Sequence, residues 1–436
     1  MQSWQNAMTF YVYNSTTIDG LDNNIGLFNG DIVLVGAQAL YVKTFNSVFL
    51  ILDTNALSIS FVINGTIGSQ FSVIGAGTFA PNVDIHVGVT GVLFGGEPIS
   101  FNSVNPHIFN EGLIFATSIA FHLGGTAGSG HDISIINYGT IVGGAYSIAL
   151  FEGTLERTVL DNHGRIGESI ASVAFGSSDT TLTNDIIRNS GDIYGDVYMG
   201  GGNDLFDARG GTVLGTIFLG PGDDRYVAGL AEETVVGGAG ISKDIIDFRS
   251  SAGVTFSLDG TLEATGVAFG DVYSGFAYIF GSVSAADNLR GDGQANRITG
   301  GGGADDLDGA AGNDSLIGGK GGDTLTGGLG DDRFIYNRAA ESPDTILDFS
   351  NVAGNNDAFQ FVKATFDTTL TLGTLAAAKF QTRADNLAQD SDDRFIFRTT
   401  DQTLWFDADG IGALGPIMIA DLQATATVTA LDILIV

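Results

Sequence analysis

The stretch from Ser282 to Ile335 decides the fold. Cut into nines it reads SVSAADNLR, GDGQANRIT, GGGGADDLD, GAAGNDSLI, GGKGGDTLT and GGLGDDRFI. The sixth positions are Asp287, Asn296, Asp305, Asp314, Asp323 and Asp332. The eighth are Leu289, Ile298, Leu307, Leu316, Leu325 and Phe334. A flexible linker has no reason to keep two such ladders in step. The glycine-rich positions suit a turn that needs positive φ and close backbone approach. The residues after the acid suit a short strand whose one large apolar side chain points inward. Two nonapeptides, one on each side, complete an 18-residue coil. Coils then stack one strand spacing apart, about 4.8 Å. On this register Asp287, Asp305 and Asp323 line one edge, while Asn296, Asp314 and Asp332 line the other. Carboxylates and turn carbonyls of successive coils can share a hard, oxygen-loving cation. The wide, flexible geometry suits Ca²⁺ better than Mg²⁺.

These nonapeptides follow G-G-x-G-x-D-x-U-x and resemble the RTX repeat of secreted calcium-binding proteins, whose fold is a parallel β-roll. Downstream, Asp344-Thr-Ile-Leu-Asp348-Phe and Asn356-Asp357-Ala-Phe resemble the closing segment of RTX domains, including those of serralysin-type proteases. A short helix is expected over Thr374–Phe380. The chain then reads DDRFIF, TLWFDADGIG, PIMIADL and LDILIV. This ending resembles the uncleaved C-terminal signal of type I secretion, here finishing Asp432-Ile-Leu-Ile-Val436. The resemblance is specific over residues 282–436, weaker over 199–281 and architectural before that. It implies export unfolded by type I machinery and folding on meeting Ca²⁺ outside the cell.

Working upstream, Met199-GGGNDLFD and Leu219-GPGDDRYV carry the same glycine–acid turn, but Asp204 and Asp224 stand 20 residues apart. They are expected to be calcium turns grafted onto a longer coil. Gly237-Gly-Ala-Gly240 starts a further turn in which Ser242 replaces the acid, and Asp244 to Gly281 forms a less repetitive insert. Earlier still, N-x-G-x-I recurs at Asn110, Asn137, Asn162 and Asn189, at intervals of 27, 25 and 27. Such coils suit a parallel β-helix in which stacked Asn side chains form a hydrogen-bonded ladder. From Met1 to about Val104, short β-branched and aromatic runs alternate with Gly/Asn/Asp turns, again an all-β pattern. The expected architecture is an all-β solenoid in four parts. Residues 1–198 form a parallel β-helix and 199–281 continue it with calcium turns and a connecting insert. Residues 282–336 form the nonapeptide β-roll, and 337–436 the β-rich cap with the secretion signal. The expected metal ligands are Asp204, Asp224, Asp287, Asn296, Asp305, Asp314, Asp323, Asp332, Asp344 and Asp348.

Composition narrows the function. The 436 residues hold 18 Lys and Arg against 50 Asp and Glu, a formal charge of −32, with no Cys. Such a chain repels nucleic acid and anionic membranes and attracts divalent cations. Neither disulfides nor a thiol nucleophile are available. At 44% hydrophobic residues it is too apolar for a disordered acidic tail. The N-terminal MQSWQNAMTFYVYN shows no Sec-type signal pattern, and no apolar run is long enough for a membrane span. H-E-x-x-H and G-x-S-x-G are both absent, which argues against a serralysin-type protease or a lipase. His86, His107, His122, His131 and His163 are scattered, although His131-Asp132 could form a general base. Residues 1–151 contain one basic residue, Lys43, against eight acids. That is a poor setting for the anionic sugar of a β-helix lyase or epimerase, which needs cationic groups around the developing charge. Arg290-Gly-Asp292 is explained by the repeat alone, Trp405 by the cap core, and Asp407-Ala-Asp409-Gly410 reads equally as a calcium loop or a tight hairpin. The expected role is non-enzymatic: a secreted, calcium-binding structural protein that self-associates into a surface layer, filament or matrix. An extracellular adhesin for cell-surface polysaccharide is the second expectation, a polysaccharide lyase or epimerase the third. No charged residue occurs from Met1 to Ile18, so the N-terminal coil is the expected association surface.

Overall fold

The computed structural model describes residues 10–13, 25–27, 32–35, 40–43, 49–51, 59–64, 66–69, 74–76, 82–101, 105–123, 132–150, 157–168, 173–177, 183–238, 243–339, 341 and 343–436. They fall into two compact units. The first is 1–244 with 270–275, and the second is 245–269 with 276–436. Most of Met1–Ile18, Ser242 and His131 lie outside the described residues.

The first unit is a three-sided parallel β-helix. One sheet includes Asn82–Val87, Asn105–Asn110, Ile133–Asn137, Thr158–Asn162, Ile186–Asn189, Leu205–Asp207 and Arg225–Val227. A second, eight-stranded among the described residues, runs from Leu40–Lys43 to Thr212–Val213, and a third, eleven-stranded, from Ile25–Leu27 to Val272–Ser274. Period-two alternation puts one row of apolar side chains inside. Ile85, Ile108, Ile135, Leu160, Ile187, Phe206 and Tyr226 are in register and buried. Each such burial is worth roughly 1.5–3 kcal/mol.

The expected Asn ladder is present. Asn110 Nδ2 donates to Asn137 Oδ1, Asn137 to Asn162 and Asn162 to Asn189, each at 2.8 Å and fully buried. The glycine two residues on is dictated by the same stacking. A Cβ on Gly139 would sit 2.1 Å from the Gly112 carbonyl of the preceding coil.

The second unit is a two-faced roll. One inner row is Ile246, Ile279, Ile298, Leu316, Phe334, Phe359 and Ile433; the other is Phe256, Leu289, Leu307, Leu325, Ile346 and Leu422. Ile245–Asp247, Thr255–Ser257 and Tyr278–Phe280, ahead of Ser282, already pair as strands of the roll, while 270–275 belongs to the first unit. Without glycine turns or a nine-residue period, these strands carry no repeat signal. The roll closes with Ile433–Ile435 parallel to Ala358–Phe361 and with an antiparallel set, Phe395–Arg398, Thr403–Phe406 and Ile417–Leu422. The helix expected at Thr374–Phe380 is instead a 3₁₀ turn, Ala377–Lys379, flanked by strands. The one α-helical turn among the described residues is Lys363–Phe366. No helix of the described residues is long and apolar enough to cross a membrane.

Candidate metal centre

Stacking brings the sixth-position residues into two rows. On one edge the Asp287 N–H donates to Asp305 Oδ1 (2.9 Å), Asp305 to Asp323 (2.9 Å) and Asp323 to Asp344 (3.1 Å). On the other, the Asn296 N–H donates to Asp314 (2.7 Å), Asp314 to Asp332 (2.8 Å) and Asp332 to Asp357 (3.1 Å). One oxygen of each acid thus ties its coil to the coil before.

The second oxygen distinguishes the interior of a row from its ends. Asp287 Oδ2 accepts the Ser282 N–H at 2.6 Å, and Asp357 Oδ2 accepts the Ser350 N–H at 2.8 Å. Neutral Asn296, heading the other row, accepts the Asp292 N–H through Oδ1 at 2.8 Å. In contrast, Oδ2 of Asp305, Asp314, Asp323 and Asp332 is buried with no partner. Burial pushes the Asp305 and Asp314 carboxyls up to about 7, and acids of neighbouring coils push in the same direction. Burial raises Asp323 and Asp332 as well, and holds Asp344 at about 8 and Asp357 at about 7. A buried carboxylate oxygen left unpaired costs several kcal/mol unless a proton or a cation meets it.

The turns are shaped around these carboxylates. Gly321 has φ 133°, and a Cβ there would lie 1.4 Å from the Gly303 carbonyl. Only glycine fits. Every side-chain donor at the interior positions is an oxygen, which selects a hard cation such as Ca²⁺. Among the described residues no three His, Asp or Glu side chains converge on one point. A cation seated there would draw part of its coordination shell from oxygens other than these carboxylates.

The remaining expected ligands are placed as follows. Asp348 lies off both rows, its two oxygens accepting the Gly327 and Gly328 N–H groups at 2.9 and 2.7 Å, so it caps a turn. Asp204 and Asp224 belong to a third row, in the first unit, with Asp185 and Asp244. Sequence reasoning missed Asp185, Asp244 and Asp357 as row members. Asp244 was findable from its interval of 20 after Asp224, although the nonapeptide rule pointed to Ser242. Asp357 is 25 residues after Asp332, because the 337–356 segment enlarges the last coil. Asp185 has no glycine turn before it.

The histidines pair locally across coils: His86 with Glu111 at 2.9 Å, His122 with Glu97 at 2.9 Å and His107 with Asp84 at 3.2 Å. Arg290 of the Arg-Gly-Asp tripeptide is held by Asp259 and Asp308. Asp407-Ala-Asp409-Gly410 opens the connection between two antiparallel strands, with Asp407 Oδ1 accepting the Asp409 N–H at 3.1 Å.

The family comparison agrees with these rows. The family profile "RTX calcium-binding nonapeptide repeat (4 copies)" matches residues 283–316 and 308–338. Curated protein sequences give no match. Among solved structures, the AlgE6R3 subunit of the Azotobacter vinelandii mannuronan C5-epimerase is 29% identical, over 35% of this chain and 79% of that one, with a TM-score of 0.25. Two rows of stacked acids, glycine turns at a nine-residue interval and the profile match converge: residues 283–338 are RTX calcium-binding repeats folded as a β-roll.

Proposed function

We propose that the chain is a secreted structural protein that folds when it meets extracellular Ca²⁺ and self-associates into a layer, filament or matrix. The observation that carries the calcium step is the set of four buried, unpartnered Oδ2 atoms at Asp305, Asp314, Asp323 and Asp332. Once these acids release their protons, the coils without a cation stack carboxylate upon carboxylate. Binding to the folded state alone stabilises it by RT ln(1 + [L]/Kd). For sites of roughly 10⁻⁴ M in 10⁻² M Ca²⁺ that is about 2.7 kcal/mol each. Circular dichroism in chelator and in Ca²⁺ tests this step: the β signal should rise with Ca²⁺, and an identical spectrum in both sinks it. Self-association is supported by charge, since Ca²⁺ reduces the −32 that keeps copies apart. Light scattering should show large assemblies in millimolar Ca²⁺ and monomers for a variant lacking residues 1–30.

A glycan-binding adhesin is the second reading, favoured by a run of rings across successive coils of the first unit. His86 meets Phe109 at 5.0 Å, Phe109 meets Tyr138 at 5.8 Å, and Tyr138 stacks on His163 at 4.5 Å. Tyr138 is 55% exposed. The stacking covers one face of Tyr138 and of His163, which weakens the run as a sugar platform and ranks this reading second. Monomeric protein in Ca²⁺ that binds polysaccharide, with binding lost on Tyr138→Ala, would reverse the order. We assign the chain no reaction.

A further inference from the structure

Residues 270–275 belong to the first unit, while the segments on either side, 245–269 and 276–436, make up the second. Gly270 and Gly275, with φ 83° and 77°, bound the segment. Between them Val272–Ser274 runs parallel to Thr234–Val236 as the last strand of the third sheet. Val272 and Ser274 are exposed. Tyr273, in register with buried Val235, is the one side chain of the strand turned inward. Apolar burial therefore contributes little to holding this strand, and polar contacts carry it.

Those contacts join four side chains in sequence. Asp271 Oδ1 accepts the Glu233 N–H at 2.7 Å, and the Val272 N–H donates to the Glu233 carbonyl at 2.9 Å. The Tyr273 hydroxyl donates to Asp271 Oδ2 at 2.5 Å, and the Tyr226 hydroxyl donates to Glu233 Oε2. The two hydroxyls also bond each other, with their ring centroids 5.7 Å apart. Glu233 is 3% exposed, Tyr226 is fully buried, and Glu233 Oε1 has no partner. The order is carboxyl, hydroxyl, hydroxyl, carboxyl. Its three hydrogen bonds need three hydrogens, and the hydroxyls bring two. The third must be a carboxyl proton. With both carboxyls ionised, one contact is left without a hydrogen, in a buried site where that is costly. The titratable groups facing Glu233 are Tyr226, on the strand before it, and Asp271 and Tyr273, on the incoming segment; Glu232 faces Asp271. None of these is basic.

We propose that Glu233, Asp271, Tyr226 and Tyr273 form a proton-operated latch that fastens 270–275 to the first unit, closed while either carboxyl keeps its proton and released when both ionise. Burial pushes the Glu233 carboxyl up to about 8 and Asp271 up to about 6, and the Asp271 charge raises Glu233 in the same direction. Both folded values stand above the ordinary ones. The latch's contribution is therefore complete below about pH 4 and is lost as pH rises through about 8, where the last proton leaves. The latch lies outside the acid rows, and it depends on neither the calcium reading nor the assembly reading.

Hydrogen exchange of the full chain in Ca²⁺ tests the latch, read as protection factors so that the intrinsic pH dependence of exchange cancels. From pH 6 to pH 9 the amides over 233–237 and 272–274 should lose at least about tenfold in protection, the equivalent of one unit of carboxyl shift. Those over 133–137 and 158–162 should keep theirs. Glu233→Gln puts a neutral group with its own N–H at one end of the chain of bonds, and Asp271→Asn does so at the other. Each supplies the third hydrogen at every pH, so each variant should stay protected over 233–237 and 272–274 at pH 9. An intact chain equally protected at both pH values overturns the proposal. So does a loss that spreads to 133–137 and 158–162, because the β-helix as a whole is then loosening. A loss in Glu233→Gln or Asp271→Asn as large as in the intact chain overturns it as well, since the pH response then comes from other groups. Should one variant fail to fold, the other decides.

Discussion

At the scale of single residues, the two oxygens of each row aspartate do different work, and substitutions should separate them. Asp314 and Asp323 are interior, each with an unpartnered Oδ2, whereas Asp287 has both oxygens held by backbone N–H groups. Asp314→Ala and Asp323→Ala should therefore raise the Ca²⁺ midpoint of folding severalfold more than Asp287→Ala does. Equal shifts for all three in a calcium titration would show that the rows do not bind metal as drawn. Ala310 provides the opposite kind of test. It occupies a glycine position of the repeat and has φ 77°, a left-handed conformation that costs an L-residue roughly 1–2 kcal/mol. Ala310→Gly relieves that strain while loosening the unfolded chain by roughly 0.4–1 kcal/mol. The net should be a gain of up to about 1 kcal/mol, measured by urea unfolding in Ca²⁺.

At the scale of elements, the Asn ladder works as a polar spine beside the apolar core. Asn137 accepts from Asn110 and donates to Asn162, so Asn137→Ala strands a buried donor and a buried acceptor. At roughly 1–3 kcal/mol for each unpaired group, the β-helix should lose about 2–6 kcal/mol. Hydrogen exchange of the amides over 105–190 would report it, and an unchanged pattern would mean the ladder is incidental. This ladder, the two roll rows and the inner Leu/Ile/Phe row were legible because stacking repeats one residue type at one interval. Ile245–Asp247 and Thr255–Ser257 were not, since a coil with an excursion keeps its pairing but loses its period. At 377–379 the Ala-Ala-Ala-Lys run favours helix locally, while the flanking strands leave room for a single turn. Asp357 escaped for a related reason. The cap stretches the final coil, and an acid displaced from its interval looks like any turn residue.

For the whole molecule, an acid excess this large makes folding depend on pH and Ca²⁺ together. Acids whose folded carboxyls rise to about 7 or 8 bind protons more tightly folded than unfolded. Their full contribution to stability is present below the unfolded value of about 4 and is lost as pH rises through about 7–8. In metal-free solution the β signal should thus be stronger at pH 5 than at pH 8. In Ca²⁺ the order reverses, because protons compete with the ion for the same oxygens. Circular dichroism at both pH values, with metal removed or supplied, checks both signs. A metal-free chain equally folded at pH 5 and pH 8 would show that the buried acids find other partners.

The hydrogen bonds of the rows also have a direction. In every pair the donor is the earlier residue and the carboxylate the later one: Asp287 to Asp305, Asp305 to Asp323, Asp323 to Asp344. Each row carboxylate of the roll thus meets an N–H of the coil before it, while backbone bonds such as Asp306 N–H to the Asp287 carbonyl (2.8 Å) run the other way. Asp357, whose carboxylate accepts the Asp332 N–H and the nearby Ser350 N–H, gives the other row an end that closes on itself. The rows alone therefore zip in one sense: a chain emerging C-terminus first offers each row N–H a carboxylate as it arrives, whereas one emerging N-terminus first leaves that N–H unmet until the next coil appears.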